Sequence, residues 1–110
     1  MADWEFDSTK KGLLTVFFDY EVEALNYLWG RRGEYASSRE VYEHVMKSMP
    51  ISRASIINSL NRMVKKGVLK YDEKTGKGGH RGLYSPAMNE AELKKHIAEE
   101  LIQSIKENLA

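Results

Sequence analysis

The 110-residue sequence has no cysteine, two prolines, three histidines and no long unbroken apolar stretch. Each scarcity excludes something. Without cysteine there is no disulfide framework, no zinc ribbon and no thiolate nucleophile. Without an apolar run of about 20 residues there is no membrane-spanning helix, and the N-terminus carries no signal-peptide pattern. A cytoplasmic location with no membrane partner is the expectation. His44, His80 and His96 are far apart in sequence, and none has a second ligand at metal-binding spacing. No serine stands in a nucleophile motif, and no pair of acids forms a recognisable general acid–base site. The expectation is therefore a non-enzyme with neither cofactor nor metal. With 42% hydrophobic and 30% charged residues, the chain falls in the soluble globular class rather than the disordered one.

The net charge of +1 conceals an uneven distribution. Residues 1–52 hold 6 Lys/Arg against 9 Asp/Glu, a net of −3. Residues 53–81 hold 8 against 2, a net of +6, and residues 82–110 hold 3 against 5, a net of −2. One basic block between acidic flanks suits a polyanionic partner better than it suits general solubility.

That block contains the stretch around which the chain is organised, residues 51–67. Ser52 is a good N-cap, and Gly67 is a good helix stop. Ile56, Leu60, Met63 and Val64 recur at helical spacing as a buried stripe. The other face carries Ala54, Asn58, Asn61, Arg62 and Lys65, with Ser55 beside it. It is small near the start, amide-bearing in the middle and cationic at the end. A helix entering a DNA groove needs that order, since small residues admit it, amides meet base edges and cations meet phosphate. An ordinary solvated amphipathic helix shows a similar pattern; what surrounds the stretch decides between them.

Upstream, residues 1–12 form a polar, flexible lead-in whose Trp4 and Phe6 either fray with it or tuck against a neighbour. Residues 13–18 are rich in β-branched and aromatic residues and are consistent with a short strand. Asp19 is expected to cap a helix to about Trp29 or Gly30, with Val22, Leu25, Leu28 and Trp29 on its buried side. Ser37 and Glu40 read as a capping box for a helix burying Val41, Tyr42, Val45 and Met49. Pro50 forbids its continuation, so residues 37–67 make a helix-turn-helix. Downstream, residues 68–72 and 82–86 alternate as two short strands around a glycine-rich basic turn. Lys74, Lys77, His80 and Arg81 in this wing are placed to reach phosphate or a minor groove. Gly76-Lys77-Gly78-Gly79 lacks the Lys-Ser/Thr pair of a phosphate-binding loop. Lys74-Thr75-Gly76 has no accompanying Ser-x-x-Lys, so the penicillin-recognising motif is not present.

Asn89 is expected to cap a final helix with Glu90 and Glu92 in its first turn. Leu93, Ile97, Leu101, Ile105 and Leu109 recur every fourth residue, with Ala98 and Ile102 beside them. This face is broader than a coiled-coil seam and longer than a small domain covers. Packing on its own domain and contact with a second chain are the two readings, and the second is preferred. The expected interface is Leu93, Ile97, Leu101, Ile102, Ile105 and Leu109.

The expected fold is thus mainly α with a small β-hairpin wing: a winged helix-turn-helix with a long C-terminal dimerisation helix. Its parts are a flexible segment at 1–12, the winged domain at 13–88 and the dimerisation helix at 89–110. Leu28-Trp29, the Ser52-x-x-Ser55-Ile56 opening, Arg62-Met63-Val64-Lys65-Lys66-Gly67-Val68-Leu69 and Leu83-Tyr84-Ser85-Pro86 resemble the penicillinase-repressor (BlaI/MecI/CopY) family. The Arg-to-Lys-Lys-Gly stretch also occurs in MarR-like winged helices. The resemblance runs from about Tyr20 to Ala110. It implies a homodimeric repressor on a palindromic operator, with Ser52, Ser55 and Asn58 toward the groove and Arg62 and Lys65 toward the backbone. The chain departs from the family in its extra wing glycines, its single C-terminal helix and its lack of the cysteine-rich metal motif of copper-responsive members.

The expected function is sequence-specific double-stranded DNA binding in transcription regulation. Expected contacts are Ser52, Arg53, Ala54, Ser55, Asn58, Asn61, Arg62, Lys65, Lys66 and the four wing residues. The alternatives are a protein-interaction adaptor and an architectural DNA-binding protein without sequence preference.

Overall fold

Local chemistry sets most of the boundaries in the computed structural model, which describes residues 4–76 and 79–110. A 3-10 turn, Gly12–Thr15, precedes α1 (Asp19–Gly30), β1 (Ala36–Ser37) and α2 (Ser38–Met46). Then come α3 (Arg53–Lys65), β2 (Leu69–Gly76), β3 (Gly79–Pro86) and α4 (Glu90–Leu109). Ser37 accepts from the Glu40 amide at 3.2 Å while Glu40 accepts from the Ser37 amide at 3.1 Å, closing the capping box of α2. Asn89 and Glu92 do the same for α4, at 2.8 and 2.9 Å. At the end of α3, Gly67 has φ +78°, its amide bonds Val64 O at 3.0 Å, and the Val68 amide bonds Met63 O at 2.9 Å. This is a Schellman closure, which needs a left-handed residue at the glycine, and it turns the chain directly into β2.

Leu25 and Leu28 of α1, Val41 and Val45 of α2, and Ile56, Leu60 and Met63 of α3 are each no more than 1% exposed. Such side chains each contribute roughly 1.5–3 kcal/mol on burial. The three-stranded antiparallel sheet has β3 in the centre, paired with β2 along its length from Leu69↔Pro86 to Gly76↔Gly79. Its other edge pairs with β1 through Ala36↔Tyr84 and Ser37↔Leu83. Helix-turn-helix, hairpin wing and long final helix follow the expected winged order, and the wing strands run further toward the tip than their alternation indicated.

Several expectations are corrected. Residues 13–18 are not a strand. Gly12, at φ +58°, starts a tight turn in which the Val16 and Phe17 amides both bond Leu13 O, and Leu13 and Phe17 enter the core. The sheet edge they might have joined is occupied by β1, a two-residue strand the sequence did not announce. Asp19 is the first helical residue rather than the cap. Phe18 holds the cap position, and its amide donates to Glu21 Oε1 at 2.9 Å. Trp4 is docked rather than frayed: its ring meets Phe17 edge-on, centroids 5.6 Å apart, and its Nε1 donates to Glu100 Oε2 at 3.3 Å. Phe6 remains exposed.

The final helix divides in two. Leu93 and Ile97 are buried in the core of their own chain, at 0% and 7% exposure, so the expectation that they face a second chain does not hold. With about 100° per residue, Leu93, Ile97, Glu100 and Ser104 form one stripe toward the domain. Ala98, Ile102, Ile105 and Leu109 form another, about 130° round the helix, and all four are exposed. Their spacing of four, three and four is that of a coiled-coil seam. The molecule measures 54 × 27 × 24 Å.

Candidate nucleic-acid interface

The first turn of α3 is fixed by Ser52, whose Oγ accepts from the Ser55 amide at 3.1 Å and donates to Ser55 Oγ at 2.9 Å. Both expected groove-side serines are thereby engaged in capping. Ile56, Ser59, Leu60 and Met63 face inward. At about 100° per residue, Ala54, Asn58 and Lys65 lie within about 40° of one another, opposite that buried side. All three are exposed, and Asn58 and Lys65 make no hydrogen bond or ion pair among the described residues. They form an outward ridge with a small residue first, an amide in the middle and a cation last. Arg53 is exposed at the helix start.

The remaining expected contacts on α3 are held within the chain. Asn61 Oδ1 accepts from the Tyr84 hydroxyl at 2.7 Å, tying α3 to the central strand of the wing. Tyr84 is 4% exposed, and its ring meets Tyr71 edge-on at 5.3 Å. Burial, with the neighbouring Tyr71 second, pushes the Tyr84 hydroxyl pKa up, which keeps the donating, neutral form in place. Arg62 Nη2 is paired with Glu21 Oε2 of α1, whose side chain is 1% exposed against 48% for Arg62. Lys66 Nζ lies 4.3 Å from the centroid of the Trp4 ring, within cation–π reach. Asn61, Arg62 and Lys66, expected to face DNA together with Lys65, each also have a partner within the chain. Ser59 Oγ donates to Tyr20 OH at 3.4 Å, a further tie between α3 and α1.

In the wing, Lys74 and Arg81 stand directly opposite each other across β2 and β3, and both are exposed. Like charges so placed destabilise a hairpin, and an anion between them removes that penalty. Lys77 lies outside the described residues, as does the His80 side chain.

Two of the three histidines have partners within the chain. His44 Nε2 is 3.1 Å from Glu23 Oε1, with its ring stacked on Tyr27, and His96 Nε2 is paired with Glu100. Among the described residues no cluster of His, Asp or Glu is placed to hold a metal ion, and no helix is long and apolar enough to cross a membrane.

Three residues that shape this surface were not singled out for it by sequence: Glu21, Tyr84 and Trp4. An acid in a first helical turn reads as a dipole partner, and a strand tyrosine reads as core. Only the strand alternation that puts Tyr84 on the inner face offered a hint.

Two solved structures share the fold. One is a possible transcriptional regulator from Methanosarcina mazei Go1, 11% identical, with a TM-score of 0.59 over 83% of this chain and 78% of that one. The other is a PadR family transcription regulator from hypervirulent Clostridium difficile R20291, 18% identical, with a TM-score of 0.54 over 83% of this chain and 98% of that one. No curated protein matches the chain by sequence. Residues 18–109, from the α1 cap through α4, match the penicillinase repressor family. With most of its length matched and the winged architecture present, the chain belongs to the penicillinase repressor family.

Proposed function

We propose that the protein is a sequence-specific, double-stranded DNA-binding transcription regulator, a repressor acting as a homodimer on a palindromic operator. The observation that carries this reading is the ridge of Ala54, Asn58 and Lys65. It is exposed on the second helix of a helix-turn-helix, with no side-chain partner among the described residues, within a segment of net charge +6. Asn58 offers a donor and an acceptor to a base edge, and Ala54 lets the helix approach closely. Arg53 and Lys65 reach the backbone on either side of it, and the wing adds Lys74 and Arg81. Its contribution is binding rather than catalysis.

The second face of α4 supports dimerisation. Ile102 and Ile105 are 53% and 55% exposed and Leu109 is 81% exposed, in seam spacing with Ala98. A second copy supplies an identical stripe, and two-fold pairing of the helices places two wings to read two half-sites.

The test is fluorescence anisotropy with labelled duplexes, one from the DNA upstream of the protein's own coding sequence and one random, across a salt series. Binding to one site at least about 10³-fold tighter than to random DNA is the expected result. Equal binding to both duplexes makes the protein architectural. No binding at low salt makes the winged domain a protein adaptor.

A further inference from the structure

Resting on that reading, we infer that Glu21 is a positioning residue that withholds Arg62 from the DNA backbone and so sets the salt dependence of binding. Glu21 sits in the first turn of α1 with both carboxylate oxygens occupied. Oε1 accepts from the Phe18 amide at 2.9 Å, and Oε2 holds Arg62 Nη2. Because Glu21 is 1% exposed and fixed on a helix, it acts as a rigid counter-charge. Arg62 lies on the flank of α3 turned toward α1, beside the Asn58 ridge.

The next cation on that flank, Lys66, four residues on, is treated in the same way. It lies 4.3 Å from the centroid of the Trp4 ring, and Trp4 is itself anchored to Glu100 of α4. Lys65, on the ridge, has no such partner among the described residues. The cations of α3 are therefore sorted by the fold. Those on the α1 side are neutralised or covered, and the one beside Asn58 is left for the ligand.

The consequence concerns the electrostatic part of binding. Each lysine or arginine that meets a phosphate adds about 0.9 to the slope of log affinity against log salt, whatever the sequence. Retaining Arg62 lowers affinity for every duplex alike and leaves a larger share of binding to Asn58. Glu21 touches no DNA, yet it sets how strongly and how salt-dependently the chain holds any duplex, leaving the ratio of specific to random binding to Asn58.

The experiment compares salt slopes for the parent, Glu21→Gln, Arg62→Ala and Lys65→Ala on the upstream and random duplexes, with circular dichroism confirming the fold of each. Lys65→Ala is expected to shallow the slope by about 0.9 and Arg62→Ala to leave it unchanged. Glu21→Gln is expected to steepen the slope by about 0.9 on both duplexes and to tighten both alike at low salt, with the specificity ratio unchanged. A purely structural role for Glu21 would weaken both duplexes without steepening either slope, and that result overturns the inference. So does a slope loss in Arg62→Ala equal to that in Lys65→Ala, with DNA binding itself still standing. If Glu21→Gln does not fold, the Arg62 and Lys65 slopes decide the matter. A parent chain that binds neither duplex removes the functional reading and the inference together.

Discussion

Replacing Ile105 with aspartate separates the two faces of α4. Full burial of an isoleucine or leucine side chain yields about 1.5–3 kcal/mol. Ile102 and Ile105 are already about half covered, at 53% and 55% exposure, so each has about 1 kcal/mol left to gain in a dimer. Leu109, at 81% exposure, has about 2 kcal/mol left to gain. Doubled by two-fold symmetry, the three side chains supply roughly 8 kcal/mol in gross terms. Lost translational and rotational freedom takes back about 4–15 kcal/mol. The net is small, so the seam tolerates little damage.

Ile105→Asp removes about 2 kcal/mol over the two copies and brings two carboxylates toward one apolar seam. Dimer affinity is expected to fall by at least about 30-fold. Sedimentation equilibrium over a concentration series reads that loss directly. Unfolding followed at concentrations where both proteins are monomeric is expected to shift by no more than about 1 kcal/mol, because the residue is only half covered in the monomer. Leu93→Ala on the same helix gives the opposite pattern, losing about 2–5 kcal/mol of monomer stability from a fully buried site. Unchanged self-association of Ile105→Asp would refute the two-face reading, as would a stability loss like that of Leu93→Ala.

Asn58→Ala is expected to weaken operator binding by about 1–3 kcal/mol while random-duplex binding is unaffected, measured by the same anisotropy titrations. Tyr84→Phe removes the hydroxyl that donates to Asn61 and is expected to cost about 0.5–1.5 kcal/mol in urea unfolding. Stability is also expected to depend on Glu40 in acid. The amide of Ser37, then its hydroxyl, and after them the Arg31 and Arg81 guanidiniums hold its carboxyl below the ordinary 4.5, against the opposing effect of burial. The folded pKa is thus the lower one, so this contribution is complete above about pH 4.5 and is lost as pH falls through the folded value. Unfolding curves between pH 6 and about 3 should flatten in Glu40→Gln; identical pH dependence in both proteins would contradict the assignment.

What the sequence disclosed was local. Ser37 with Glu40, Asn89 with Glu92, Ser52, Pro50 and Gly67 each act on neighbours within a few residues, and their caps and stops lie where the residue chemistry indicated. The hairpin was legible because alternation and glycine content signal it in a short window. Contacts across the fold were not legible. Glu21 and Arg62 are 41 residues apart and Trp4 and Glu100 are 96 apart, and nothing in either neighbourhood names the other. The final helix shows why periodicity alone was insufficient. A repeat of four drifts by about 40° per step, so Leu93, Ile97, Leu101, Ile105 and Leu109 wind from the domain side to the solvent side. Only the packed structure shows where along that winding the protein ends. Residues 13–18 failed for a related reason: their strand propensity was real, but Leu13 and Phe17 enter the core through a tight turn instead.

The facing pair of Lys74 and Arg81 gives the wing a thermodynamic polarity. In the free chain their repulsion works against the hairpin, so local opening is easier there than the ladder alone would allow. An anion held between them reverses the sign, and by linkage whatever tightens the hairpin also tightens the anion. The wing thereby carries its own occupancy gauge: amide exchange across β2 and β3 should slow when a phosphate is bound.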